Sequence, residues 1–397
     1  MVRMASPPDP SAAEARRPWA FWLYAGHLLS LPALAASNIL GGLALLASPR
    51  YWRRAGGTPA RRRLLCLLAL YSLLLVAAVA FSYEPGQSLT ALSELFTLTT
   101  LVLGLALIAD IPLARRLVDA LILLGLIVAL LGLAQLTIGF GDLEQRIRGP
   151  FSHWMTFSHF LLVCDLLLLG RLAAGTPPRK RWLRWGRWVA LAILNIALLV
   201  SLTRSAWLGL AVAVTLLVVL KRPRWLLAYV PAAVLIVLLL PVPVLHRVAS
   251  IGDLTDPSNY DRLCMAEAGL RMIAQRPLFG LGPEQVEERY AIYRSPSAPR
   301  YWVPHLHNSF LQLAAERGLP ALAVYLALMV TALAAAWRGF RSRGGFATGD
   351  GDLHLATLLA LVAFNVAGLF ENNWADTEVQ RLVLFVLALP FVGEAER

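Results

Sequence analysis

Apolar positions along this chain come in unbroken blocks of about twenty residues, without the 3.6-residue stripe of a surface helix or the alternation of a half-buried strand. The blocks run at 19–48, 64–82, 89–109, 117–137, 155–173, 187–203, 205–220, 224–244, 319–337, 354–370 and 379–393. A segment crossing a hydrocarbon core of roughly 30 Å must pair all its backbone polar groups internally, so it is a helix or part of a closed barrel. Leu/Ala/Val runs with no period of two select the helix. The pattern predicts an all-α polytopic membrane protein. The first block is too long for one ordinary span and contains Pro32, so it reads as one tilted helix or as two short helices folded back on each other. Arg3, Arg16 and Arg17 favour a cytoplasmic amino terminus, which requires the pair and gives about twelve spans; a single helix gives about eleven.

The connections alternate in character. Basic clusters at 50–63, 115–116, 179–187, 221–224 and 338–343 occupy every second one, while acidic, His and Asn residues gather at 83–88, 138–153, 245–318 and 371–378. The positive-inside rule puts the clustered side in the cytoplasm. This divides the chain into a cytoplasmic tail (1–18), an amino-terminal bundle (19–244), a periplasmic loop (245–318) and carboxy-terminal helices (319–397). Hydrophobic residues are 58% of the chain and charged ones 15%, a balance that a soluble domain of this size would not carry. The net charge of +12 sits in the topology clusters, so no nucleic-acid partner is indicated. Cys66 and Cys164 fall inside apolar blocks and Cys264 stands alone in a loop, which gives neither a disulfide framework nor a thiolate metal site. Residues 1–17 are polar and Pro/Ala-rich without a cleavage signature, and read as a disordered tail.

A connection of more than seventy residues among short ones marks 245–318 as the functional loop. Ser258 with Asp261 reads as a capping box opening a helix that Pro277 ends. Pro283 suits the first turn of a second helix reaching about Arg294, and His307 is expected to begin a third that closes near Gly318. Three places combine charge with a membrane boundary. In SLTRSAW, Arg204 sits in the turn between two spans, on a face otherwise poor in positive charge; the simple alternative is that it snorkels to lipid headgroups. In YDRLCMAEAGLRMIAQRP, Arg262 and Arg271 are half a helical revolution apart, so only one can face a shared site; Arg262 is the better placed, unless it pairs with Asp261. In HLHNSFLQLAAERG, a His in the first turn feels the positive end of the helix dipole, which favours a neutral ring able to act as a base; the alternative is an interfacial anchor. His305 and His307 lack a third metal ligand at a recognisable spacing, so no metal site is assigned.

Together SLTRSAW, YDRLCMAEAGLRMIAQRPLFGLG and HNSFLQLAAERGLP resemble the O-antigen ligase and polymerase superfamily of bacterial envelope proteins. Its ligases carry a His, then Asn, Ser or Gln, nine residues and a Gly; His307, Asn308 and Gly318 fit that spacing, while Ala321 departs from the Gly, Thr or Tyr usual three residues on. RGPFSHWMTFSHF is similar to an outward segment of the family, and the resemblance covers about 120 residues. It implies a cofactor-free, metal-independent glycosyltransferase of the inner membrane, working at the periplasmic face. The partners implied are a polyprenyl-diphosphate-linked glycan donor, a lipid A-core acceptor and the surrounding lipids. The resemblance assigns Arg204 and Arg262 to the donor diphosphate and His307 to the essential histidine, acting as base or acceptor-orienting residue. Asn308, Arg271, His305, Arg148, Glu371 and Asp376 are the further candidates for binding substrate. Arg146 and Arg148 are candidates to extend the diphosphate clamp, and His153 and His159 flank Trp154 near sugar or headgroups. Two other readings stay open: a polymerase using the same donor, and a transporter of lipid-linked glycan, for which Asp165 and Asn195 are the isolated intramembrane polar candidates.

Overall fold

The computed structural model describes residues 19–142, 145–229, 231, 234, 245, 249–253 and 256–393. The tail expected at 1–18 and most of the block at 224–244 lie outside them. Every regular element among the described residues is helical. We number the principal helices α1 (Trp19–Leu29), α2 (Leu34–Ala47), α3 (Pro59–Ala80), α4 (Ser93–Leu107), α5 (Ile111–Ala134), α6 (Trp154–Ala174), α7 (Arg181–Val200), α8 (Arg204–Lys221), α9 (Pro257–Gln275), α10 (Gln285–Tyr293), α11 (Ser309–Ser342), α12 (Asp352–Gly368) and α13 (Thr377–Ala388). Seven helical runs among the described residues are long and apolar enough to cross a membrane: Pro59–Ala80, Pro85–Leu107, Ile111–Ile138, Trp154–Ala174, Arg181–Val200, Arg204–Lys221 and Ser309–Ser342.

The first apolar block is two helices. At about 1.5 Å per residue, α1 and α2 measure roughly 17 and 21 Å, each short of a bilayer core. They are packed side by side across the turn before Leu34.

The hub of the bundle is α6, whose faces are apolar nearly all round and correspondingly buried. It packs against α12, α5 and α8. The α6–α12 approach is so close at Gly170 that a Cβ there would lie 2.3 Å from the Ala356 backbone. At one end of the bundle a buried ionic knot ties the basic connections together. Asp352 accepts from Arg115 Nη2 at 2.8 Å and from Arg171 Nε at 3.2 Å, and Arg171 also meets Asp119.

At the opposite end α9, α10 and the first turns of α11 form a cap with a small core of its own, including Met265, Met272, Val286, Tyr290 and Leu306. Main-chain bonds fasten it to the bundle: Tyr83 N–H to Leu281 O (3.0 Å), Leu281 N–H to Ala315 O (2.8 Å) and Leu319 N–H to Pro277 O (2.8 Å). Two local expectations are corrected. The cap of α9 is Asp256, whose carboxylate accepts from Ser258 and Asn259 N–H at 3.1 Å, with Pro257 in the first turn. Ser258 is thereby inside the helix. Likewise α11 starts at Ser309, capped by Asn308, so His307 stands before the helix with φ 49°. The helix is broken at Gly318 (φ 84°, ψ 167°), where the sequence places its close.

Candidate active site

The end of α6, the turn before α8, the first turns of α9 and the approach to α11 surround a cavity of about 270 Å³. Arg204, the first residue of α8, is 5% exposed and extends into it. Its Nη1 donates to Ser250 O (3.1 Å) and Oγ (2.8 Å), and Nη2 donates to Ser258 Oγ (3.2 Å) and lies 3.7 Å from Asp256. The Ser258 hydroxyl thus serves the arginine rather than the helix end. Arg262 Nη2 lies 3.7 Å from Glu371 Oε2. Asp261 is held by Arg300 (Nε to Oδ2, 3.0 Å), and the alternative pairing of Arg262 with Asp261 is not formed. Arg146 lies 5.1 Å above the Trp154 ring, and its buried Nε has no hydrogen-bond partner among the described residues. Burial, and then the neighbouring Arg204 and Arg262, press this guanidinium below its ordinary pKa. Four guanidiniums against the carboxylates of Asp261 and Glu371 leave the lining net positive. Convergent cations await an anion, and guanidinium is the group that binds phosphate oxygens in pairs.

Opposite them stands His307. Its Nδ1 lies 2.9 and 3.0 Å from the two oxygens of Glu371, which is buried in the 369–376 connection. Burial alone would raise the Glu371 carboxyl, but the hydrogen bond from His307 and the charges of His307, His305 and Arg262 outweigh it and hold the group down at about 2. Glu371 is therefore a carboxylate and only an acceptor, so Nδ1 of His307 carries the proton of this hydrogen bond. The partner that holds the ring is a carboxylate 64 residues away, not the helix end that the sequence suggested.

His305 is wedged beside it, ring centroids 4.2 Å apart, with Nδ1 accepting the His307 N–H at 3.2 Å. Burial brings its pKa down to about 4, so it is neutral at physiological pH. His305, His307 and Glu371 bring their ligand atoms within 4.8 Å of one another, the third donor that spacing along the chain did not reveal. The same triad faces four arginines, an environment that favours an anion over a divalent cation.

The remaining candidates lie elsewhere. Arg271 pairs with Glu267 and the Tyr293 carbonyl (3.2 Å) on the far face of α9. Arg148 is exposed and binds Ser152 O at 3.0 Å, while its neighbour Arg146 enters the cavity. Asn308 caps α11 and donates to Leu369 O at 2.9 Å. Asp376 is not part of the lining of this cavity; burial, then Glu371 and Glu378, raise its carboxyl to about 7. His159 is buried within α6 against Ser205, and Asp165 accepts from Asn195 at 2.8 Å inside the bundle. Arg300 was unmarked by sequence, because SPSAPRYWVP reads only as an extended loop.

The fold and site define a multi-helical membrane protein whose one end carries an arginine-lined anion cavity faced by an imidazole–carboxylate pair. Residues 189–326 match the family model for O-antigen ligase, so this segment is similar to the O-antigen ligase-like superfamily. The matched segment contains Arg204, Arg262, Arg300 and His307; Arg146 and Glu371 lie outside it. A search of curated proteins returns no match. The family is one of membrane glycosyltransferase-like ligases and polymerases acting on lipid-linked glycans.

Proposed function

We propose that the protein is an O-antigen ligase, transferring a glycan from a polyprenyl diphosphate to a lipid A-core acceptor at the periplasmic face of the inner membrane. The observation that carries the reading is the cavity with arginines on one wall and the His307–Glu371 pair on the other. In this reading the donor diphosphate lies against Arg146, Arg204, Arg262 and Arg300. The acceptor oxygen attacks the anomeric carbon and forms the new glycosidic bond as the bond to the diphosphate breaks. The electron pair leaves with the diphosphate, whose growing charge the guanidiniums neutralise. The hydroxyl proton passes to Nε2 of His307, and Glu371 stabilises the imidazolium so formed. General-base assistance of this kind contributes about 10²–10⁴-fold. About twelve crossings, with α1–α2 as the folded-back pair and the Asp352 knot on the cytoplasmic side, bring this site to the periplasmic membrane surface.

The test is transfer in vitro with purified protein, a polyprenyl-diphosphate glycan and lipid A-core, EDTA present throughout. Wild type is expected to glycosylate the lipid A-core, while His307→Ala and Arg204→Ala remain folded and inactive. Extension of the glycan on its own carrier would replace the ligase reading with a polymerase. Active variants would remove the site assignment, and lipid movement across liposomes without transfer would favour a transporter.

A further inference from the structure

Behind the wall made by Pro304 and His305 lies a second cavity of about 400 Å³, and those two residues line both. Its chemistry is the reverse of the first. Glu94, Glu284 and Glu316 contribute carboxylates, and Gln312, Asn372 and Gln380 contribute amides. The cation among them, Arg317, is committed: Nη2 meets Glu94 at 2.5 Å and Nη1 donates to the Tyr71 hydroxyl at 2.6 Å. Glu94 also accepts from Gln380 at 2.8 Å. That leaves the rim carboxylate of Glu284 without a balancing cation in the lining, while the buried Glu316 carboxyl accepts the Glu284 N–H at 3.0 Å. The side chains of Glu284, Asn372 and Thr377 make no hydrogen bond among the described residues, so their donors and acceptors are available to an occupant.

From this geometry we infer that the second cavity is a polyol subsite, holding the acceptor's reacting sugar as an uncharged or amine-bearing unit and rejecting one that carries a carboxylate or phosphate. Carboxylates accept from hydroxyls, amides both donate and accept, and spare negative charge repels an anionic sugar. The diphosphate cavity and the polyol cavity then meet at His305, with His307 two residues on and its ring against that of His305. An acceptor hydroxyl entering from one side and a lipid-linked donor held on the other approach the same imidazole pair. The assignment to the acceptor rests on the ligase reading; the polyol chemistry of the cavity does not.

The experiment uses full-length protein in lipid nanodiscs. Saturation-transfer difference NMR compares maltotriose with a trisaccharide ending in glucuronic acid, on wild type, Glu284→Lys, Thr377→Val and Arg204→Ala. Wild type and Arg204→Ala are expected to saturate maltotriose, with the uronic probe and the two cavity variants weaker by roughly tenfold, the loss of one or two hydrogen bonds. In the transfer assay, Glu284→Lys is expected to raise the acceptor KM roughly tenfold by the same loss, with the donor KM within about twofold. No saturation on wild type, equal saturation on the cavity variants, or equal binding of the uronic probe overturns the subsite. Transfer with unchanged acceptor KM in Glu284→Lys overturns its role for the acceptor while the ligase reading stands. Saturation as expected without any transfer supports the subsite and overturns the ligase reading.

Discussion

Replacing Glu371 with Gln keeps the shape of the side chain and an oxygen for His307 Nδ1, but removes the charge. Glu371 is 2% exposed, so its electrostatics are little screened by solvent. Its displacement from 4.5 to about 2 is worth about 3 kcal/mol in favour of the ionised form, and burial opposes it, so the His307 and arginine pairing exceeds that net figure. The neutral variant loses the partner that stabilises an imidazolium, so the acid limb of the pH–rate profile moves down by about one to three units. At neutral pH kcat falls by about 10–10³-fold, inside the range available to general-base assistance. Initial rates from pH 4 to 9, at saturating donor and acceptor, measure both. An unmoved acid limb with unchanged kcat would refute the coupling, and a rise in donor KM alone would make Glu371 part of the arginine scaffold instead. The sign for stability follows from the depressed carboxyl. Its contribution is present above about 4.5 and lost as pH falls through about 2, so the wild type's advantage over Glu371→Gln in thermal melts shrinks across that window.

Three further outcomes follow from particular residues. Arg146→Ala removes a buried guanidinium with an unpartnered Nε, so donor KM is expected to rise about 10–100-fold, the value of one charged hydrogen bond, while the melting temperature stays level or rises; unchanged donor KM would remove Arg146 from the anion site. Gly318→Ala forces an L residue to φ 84° and puts a Cβ 2.1 Å from Leu278 O, so a loss of at least about 1–3 kcal/mol is expected in thermal unfolding, and an unshifted melt would deny that the kink is obligatory. Asp376→Asn removes a carboxyl that burial raises from 3.8 to about 7; wild-type stability should therefore decline as pH climbs between those values while the Asn variant's does not, and parallel curves would show the group to be solvated.

The all-helical, multi-span character was legible because bilayer physics writes it locally, in the length of each apolar block. Arg204 and His307 were legible for the same reason, since each is a polar residue at the mouth of an apolar block. The pairings were not legible. Arg262 and Arg271 could be assigned to opposite faces of α9, yet that Arg262 meets Glu371 depends on how the 369–376 connection folds against the cap. Arg148 and Arg146 share a basic surrounding in sequence, and only the turn at Gly149 and the stacking on Trp154 decide which enters the cavity. The cap of α9 went to Asp256 because Pro257 suits the first turn and leaves Ser258 free to bind Arg204. Asn308, read as a substrate ligand, satisfies the N–H groups of Phe310 and Leu311 at 2.9 and 3.0 Å, the local demand of any helix start.

The position of the imidazole ahead of α11, rather than on it, links these features. Inside the helix, the ring's reach would be fixed by the helical register; at φ 49°, His307 is instead held by its N–H bond to the His305 ring and by both oxygens of Glu371. The helix start that follows is in turn held by Ser309, whose N–H and hydroxyl donate to Glu371 O at 3.2 and 3.1 Å. The connection that carries the carboxylate therefore also anchors the chain that carries the ring. On the arginine side, the same cap is fastened by Leu281 N–H to Ala315 O and by Leu319 N–H to Pro277 O, across the break at Gly318. Arg262 and Arg300 are thus carried by the same cap as the imidazole, whereas Arg204 starts from α8 and Arg146 packs on Trp154, so a shift of α11 at Gly318 alters the cation–imidazole spacing as well as stability. Gly318→Ala should for that reason lower kcat in the fraction that remains folded, a result that thermal instability alone would not give.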